Sequence, residues 1–187
     1  KVTYHIMPNL PGSTPEHDLE TFRRLFTDPC FQPDALKIYP CLVIKGTRLY
    51  DWWRHGLYRP YGEAELLALI VEASRMIPPY VRVQRLNRDI PAPLIEAGPR
   101  RGDLRELVEQ ALSQARRPCR CIRCRETGHV ERRSGTRPQP DAIRLVRRGY
   151  DASEGRELFL SYEDPERDIL VAYARLRQPS KDAHRPE

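Results

Sequence analysis

Along the first eighty residues the apolar positions switch between two periods. Val2 to Met7 is a short apolar run ended by Pro-Asn-Leu-Pro-Gly, which predicts a strand followed by a turn. A helix is predicted to start at Ser13 or Thr14, with Pro15 in its first turn, and Ala35 to Tyr39 predicts a second strand. The third unit repeats the order. From Gly62 the run GEAELLALIVEASRM carries apolar residues at helical spacing and stops at Pro78 and Pro79, after which Tyr80 to Gln84 predicts a strand. Repeated strand-helix-strand units imply a parallel sheet, hence part of a barrel or of a doubly wound fold. Leu104 to Gln114 predicts another helix. Ala142 to Val146, Arg156 to Tyr162 and Asp168 to Leu176 then predict three strands, the last two joined by a polar turn over 163–168. They form an antiparallel meander that opens a second domain, and 177–187 is expected to be a polar loop.

Composition narrows the class. At 187 residues and 40% hydrophobic content the chain can build a core, while 18 prolines make it rich in loops. It has no run of eighteen apolar residues, so no membrane-spanning helix is predicted. The first residues lack the apolar segment of a signal peptide, and five cysteines, three of them clustered, favour a reducing interior; a cytoplasmic location is expected. The chain starts without Met inside a strand-like run, which reads as a piece of something longer.

Charge is concentrated in the middle. From Arg82 to Arg148 there are 17 Arg, no Lys and 8 acidic residues, a net of +9, against −3 for the rest of the chain. Arg without Lys suits bidentate phosphate contacts and stacking on bases, although a genome rich in G and C would also inflate Arg. Within this stretch Cys119, Cys121 and Cys124 fall in the run RPCRCIRCRE. Thiols this close pair only with strain and are soft ligands, so a zinc site is expected rather than a disulfide framework. Arg120, Arg123 and Arg125 would balance the thiolate charge. A fourth ligand is open between His129, water and a distant residue. Cys30 and Cys41 stand alone and are expected to be small buried hydrophobes that bind no metal. Trp52 and Trp53 could stack on a base, but a lid over the core is the stronger expectation.

Six strings stand in one order: YHIMPNLPGST at 4–14, LKIYP at 36–40, LVIKGT at 42–47, NRDIP at 87–91, RCIRCRE at 120–126 and LFLSYED at 158–164. Together they closely resemble the catalytic subunit of Elongator in its bacterial and archaeal single-protein form. The resemblance implies an α/β chain: the C-terminal part of a partial (β/α) radical S-adenosylmethionine barrel over 1–90, a basic zinc-binding linker over 91–139, and the opening antiparallel strands of a GNAT-type acetyltransferase domain over 140–187. It also implies an enzyme that modifies carbon five of the tRNA wobble uridine, a carboxymethyluridine synthase that takes acetyl-CoA as substrate. Its cofactors would be S-adenosylmethionine, a 4Fe-4S cluster and zinc. tRNA would be the macromolecular partner, with further subunits or a second copy left open.

Site residues follow from the same resemblance. Tyr4, His5, Lys37 and Tyr39 are the expected catalytic residues and His5 and Met7 the expected cofactor-binding ones, on strands whose period of two puts Lys37 and Tyr39 on one face. Without the resemblance, Tyr4 and Tyr39 would be core aromatics and His5 a hydrogen-bonded core histidine. Arg85, Arg88, Arg100, Arg101, Arg117, Arg120 and Arg123 form the expected tRNA-binding track. His17, His55 and His184 are expected at the surface. This sequence departs from the family's full pattern in having no cysteine loop for the 4Fe-4S cluster and no Gly-rich turn for acetyl-CoA, so on its own it is expected to be inert. The alternative is a non-catalytic, zinc-containing RNA-binding module.

Overall fold

The computed structural model describes residues 1–182. Strands β1 (Thr3–Ile6), β2 (Ala35–Ile38) and β4 (Arg82–Arg85) form a parallel sheet in the order β1-β2-β4. Helix α1 (Pro15–Thr27) begins as expected: Thr14 Oγ1 accepts the His17 N–H at 3.3 Å, and Pro15 occupies the first turn. Helix α3 (Glu63–Met76) starts at Gly62, whose N–H the Glu65 side chain accepts at 3.3 Å, and stops before Pro78. The expected third strand shifts by two residues because Tyr80 and Val81 complete a turn, with Val81 N–H donating to the Pro78 carbonyl at 3.0 Å.

Phe22, Leu25 and Phe26 of α1 meet Leu66, Leu69, Ile70 and Ala73 of α3 over Leu36, Ile38 and Val83 of the sheet. Helix α4 (Leu104–Gln114) has the boundaries its spacing predicts, and Leu104, Val108 and Leu112 enter this same core. Several short elements escaped the sequence pattern, the helices Ile122–Arg125 and Thr127–Ser134 among them. Helix α2 (Arg48–Arg54) and the two-stranded pair β3 (Val43–Ile44) and β5 (Ile95–Ala97) surround a smaller cluster of Cys41, Val43 and Tyr58, over which Trp52 and Trp53 pack as a lid. Pieces this short carry too few residues to show a period.

After the one-turn helix α5 (Ile122–Arg125) and helix α6 (Thr127–Ser134), the expected meander is present as β6 (Arg144–Ala152), β7 (Gly155–Asp164) and β8 (Ile169–Gln178), all antiparallel. Each strand is longer than its apolar run. The β6–β7 hairpin turns on Ser153 and Glu154, both at positive φ (45° and 61°), which matches the right-handed twist of the strands. Gly155 follows because a Cβ there would stand 2.6 Å from the Gln178 carbonyl oxygen. The end of the predicted terminal loop, 183–187 with His184, lies outside the described residues.

Replacing Ile70, fully buried in the main core, with Ala is expected to cost about 2–5 kcal/mol in urea unfolding. Leu57→Ala, at a side chain 74% exposed, should change stability by no more than about 0.5 kcal/mol.

Candidate metal centre and strand-end site

Three backbone choices bring the cysteines together. Cys121 caps α5 in extended conformation, Cys124 sits three residues on along the same helical turn, and Cys119 lies in the irregular segment before the cap. Their sulfurs all lie within 4.8 Å of one another, and Cys121 and Cys124 are buried. A tetrahedral zinc with bonds of about 2.3 Å separates its sulfurs by about 3.8 Å, so a small closure of this turn would complete three coordination positions. Charge favours the same outcome. Hydrogen bonds from Cys119 and then Cys124 push the Cys121 thiol well below its ordinary value, and that thiolate keeps the Cys119 proton on. A divalent cation would displace the protons the cluster retains.

His129 is not in this group; its Nε2 lies 3.7 Å from Glu126, and burial with the charge of Arg123 holds its pKa below the ordinary range. The carboxylate beside the cluster is Glu109, with Oε1 4.0 Å from Cys124 Sγ. The expected charge balance needs correction. Arg120 and Arg125 turn away from the thiols to Asp168, Arg120 with Nε at 3.2 Å and Nη2 at 3.0 Å, Arg125 with Nε at 2.8 Å. Arg105 of α4 lies on the cluster side instead; burial and Arg123 lower its pKa while Cys124 and Cys121 oppose them.

Arg125 is the largest fully buried side chain, and it also donates to Glu163. Glu163 accepts from Arg148 at 2.6 and 2.9 Å and from Ser161 Oγ at 2.7 Å. Burial would raise its pKa, but the Arg148 and Ser161 hydrogen bonds and the Arg125 charge outweigh it and hold it down at about 2. Ile122 completes the join: its N–H donates to the Val81 carbonyl at 2.9 Å, and its side chain packs on Phe159 and Leu170. Across the same seam Arg175 reaches from β8 to Asp34 at 2.5 Å and the Tyr80 carbonyl at 2.6 Å, and Tyr80 stacks on Tyr150 at 3.9 Å.

At the carboxyl ends of β1 and β2, His5 sits beside Lys37 in register, the His5 and Tyr39 rings meet edge to face at 5.5 Å, and Arg88 lies 5.3 Å over the Tyr39 ring. Tyr4 does not join them. One residue away, it packs against the helix-side core and its hydroxyl donates to the Phe31 carbonyl at 3.3 Å, as period two demands. Met7 is exposed just past β1. The turn that follows is held by a network with no counterpart among the sequence-based expectations. Asn9, at φ 64°, donates its N–H to Asp18 at 2.7 Å and accepts through Oδ1 from Tyr61 N at 2.6 Å and Tyr58 OH at 3.0 Å. Asparagine tolerates that backbone, which was the available signal.

Of the arginine track, Arg85, Arg101 and Arg120 are ion-paired with Asp89, Asp103 and Asp168, and Arg100 donates to the Glu96 carbonyl. Arg117 and Arg123 have no ion-pair partner among the described residues. Cys41 is buried as expected; Cys30 is exposed, a correction that follows from its place in the turn after α1, where its N–H donates to Asp28. His17 and His55 are exposed.

Residues 33–114 match the Radical_SAM C-terminal domain family. The tRNA uridine(34) acetyltransferase of Methanocaldococcus infernus is 50% identical over 181 residues, which is 97% of this chain and 34% of that relative. Elongator complex protein 3 of Danio rerio is 45% identical over 187 residues, 100% of this chain and 34% of its own length. A solved structure, the archaeal Methanocaldococcus infernus Elp3 with N-terminus deletion (1-46), superposes with a TM-score of 0.93 at 50% identity, covering 97% of this chain and 42% of that one. The chain thus spans about a third of the length of the curated relatives it matches. Among the described residues no helix is long and apolar enough to cross a membrane.

Because Glu163 is held at about 2 in the fold against 4.5 when exposed, its stabilisation is fully present above about pH 4.5 and is lost as pH falls toward 2. Glu163→Gln should therefore cost about 3 kcal/mol or more at pH 7, with the gap to the parent narrowing at pH 3 in the same denaturant titration.

Proposed function

We propose that the chain is a segment of a protein of the tRNA uridine(34) acetyltransferase and Elongator complex protein 3 family, the central part of a tRNA wobble-uridine-modifying enzyme. Residues 1–90 are the later part of the radical S-adenosylmethionine barrel, 91–139 the zinc-bearing linker and 140–187 the opening of a GNAT-type acetyltransferase domain. The parent enzyme carboxymethylates carbon five of the uridine, with acetyl-CoA as the donor of two carbons. When bound, S-adenosylmethionine and a 4Fe-4S cluster held by residues outside this chain supply the radical chemistry.

The residues here bind and orient. The face carrying His5, Lys37 and Tyr39 lies at the carboxyl ends of parallel strands, where barrel sites form, and would line the pocket for cofactor and target base. Lys37 offers a cation for an anionic group, Tyr39 a hydroxyl, and Arg88 keeps the Tyr39 ring in place. Met7, exposed past β1, would contact the cofactor with His5.

Cys119, Cys121 and Cys124 would hold zinc, with no part in the radical step. The observation that carries this reading is a double attachment: the cysteine turn bonds the turn leading into β4 through Ile122 and the antiparallel sheet through Arg125. A metal that rigidifies the turn would therefore set how the barrel and the acetyltransferase strands face each other, and with them the surface offered to tRNA.

Metal analysis by mass spectrometry and a tRNA titration at two salt concentrations test this, with a Cys119→Ser, Cys121→Ser, Cys124→Ser variant alongside. About one zinc per chain is expected, with salt-sensitive tRNA binding that the triple variant weakens along with the loss of metal. A metal-free chain whose RNA binding is the same in both proteins would sink the assignment.

A further inference from the structure

On the outer side of the cysteine turn, α4, α5 and α6 enclose a recess of 280 Å³. Four guanidinium groups line it: Arg105 from α4, Arg123 from α5, and Arg132 and Arg133 from α6. Three of these, Arg105, Arg132 and Arg133, were absent from the track expected of the sequence. Among the described residues Arg105, Arg123 and Arg132 form no ion pair, whereas Arg85, Arg101 and Arg120 each face an aspartate. Arg133 lies 3.7 Å from Glu109 and donates to the Cys124 carbonyl at 3.2 Å.

The thiolates account for part of this charge but not all of it. Three thiolates on a divalent cation keep a single net negative charge, and Glu106 and Glu109 are the two carboxylates at the recess, so the four guanidinium groups exceed their surroundings by one. Like charges converging in a concavity repel one another until an anion enters, and guanidinium forks match the oxygens of a phosphate in pairs. A recess of 280 Å³ is at the small end for a ligand pocket, suited to a phosphate with part of its sugar rather than to a whole nucleotide.

We infer that the α4–α6 recess is a phosphodiester seat for the tRNA backbone, formed by Arg105, Arg123, Arg132 and Arg133 and separate from the strand-end face of His5, Lys37 and Tyr39. The inference rests on the tRNA reading above. It assigns the seat a sequence-independent role, anchoring the RNA while the target base is handled elsewhere. The cysteine turn builds one wall of the seat, so the metal and the bound RNA share a scaffold.

The test is a titration of the full chain, zinc-loaded, with a tRNA transcript across about 50–200 mM salt, comparing the parent with Arg123→Gln, Arg132→Gln and with a control, Arg23→Gln, on the far helix α1. The double variant should bind about tenfold more weakly, and the slope of log affinity against log salt should fall by about one for each phosphate that is no longer neutralised. The control should match the parent. Inorganic phosphate should compete with the tRNA in the parent and less in the double variant, and zinc content should be the same in all three. An unchanged salt slope in a double variant that keeps its zinc would overturn the seat while leaving the tRNA reading intact. Loss of zinc in that variant would mean that the arginines serve only to balance the cluster, and would overturn it too. Coenzyme A binding that falls in the double variant while tRNA binding holds would assign the recess to a nucleotide cofactor instead. A parent chain that binds no tRNA would remove the reading on which the seat rests.

Discussion

The attachment of the antiparallel sheet to the cysteine turn depends on one buried cation. Arg125 is 1% exposed and turns its guanidinium to Glu163 of β7 and to Asp168 in the turn between β7 and β8. A guanidinium taken from water at that depth is tolerable when its charge is matched and most of its donors are used. Arg148 and Ser161 complete the shell around Glu163, and among the described residues Arg125 Nη1 is left without a partner. A network this dependent on its members discourages partial docking: if the sheet separates, Arg125 and Glu163 must both be resolvated, and the apolar packing of Ile122 on Phe159 opens with them.

The position of Arg125 gives that network its reach. It follows Cys124 in sequence, so the same one-turn helix that gathers the sulfurs aims the guanidinium in the opposite direction. One side of the turn is a soft donor set, the other a hard ion-pair clamp. Helix geometry explains the division: residues three apart share a face, whereas consecutive residues diverge by about 100°. The arginines around the cysteines thus split into two populations. Arg120 and Arg125 work against the C-terminal sheet, and Arg123 stays with Arg105 on the cluster side, where their charges remain available.

The strand-end face follows a simpler rule. Parallel pairing in register puts His5 next to Lys37, and alternation sends Tyr4 with Leu36 into the helix-covered core. Four candidate residues that look equivalent in a string are therefore divided: Tyr4 turns to the helix-side core, His5 and Lys37 stand at the open face, and Tyr39 is buried under Arg88. Beyond the strand, the carboxylate of Asp18 on α1, the hydroxyl of Tyr58 and the backbone N–H of Tyr61 hold Asn9 in a left-handed conformation, so the geometry of the turn after β1 is set by residues up to fifty-two positions away.

Local periodicity carried much of the fold. The N-cap at Thr14, the full extent of α4, the parallel order implied by strand-helix-strand units and the three-stranded meander were all legible, because capping, helical spacing and alternation are properties of neighbouring residues. The cysteine spacing likewise announced a cluster of thiols close enough to hold a metal, since three thiols in six residues meet when the backbone makes one helical turn. Partners distant in sequence were not legible. That Arg125 would reach across thirty-eight residues to Glu163, that Tyr4 would leave the site, that Asn9 would be held from α1 and from the segment before α3, and that Arg105, Arg132 and Arg133 would converge with Arg123 were decided by packing. Burial is a property of the assembled chain. A charged side chain takes its role from what lies opposite once water has been removed, and nothing in its neighbours along the string specifies that.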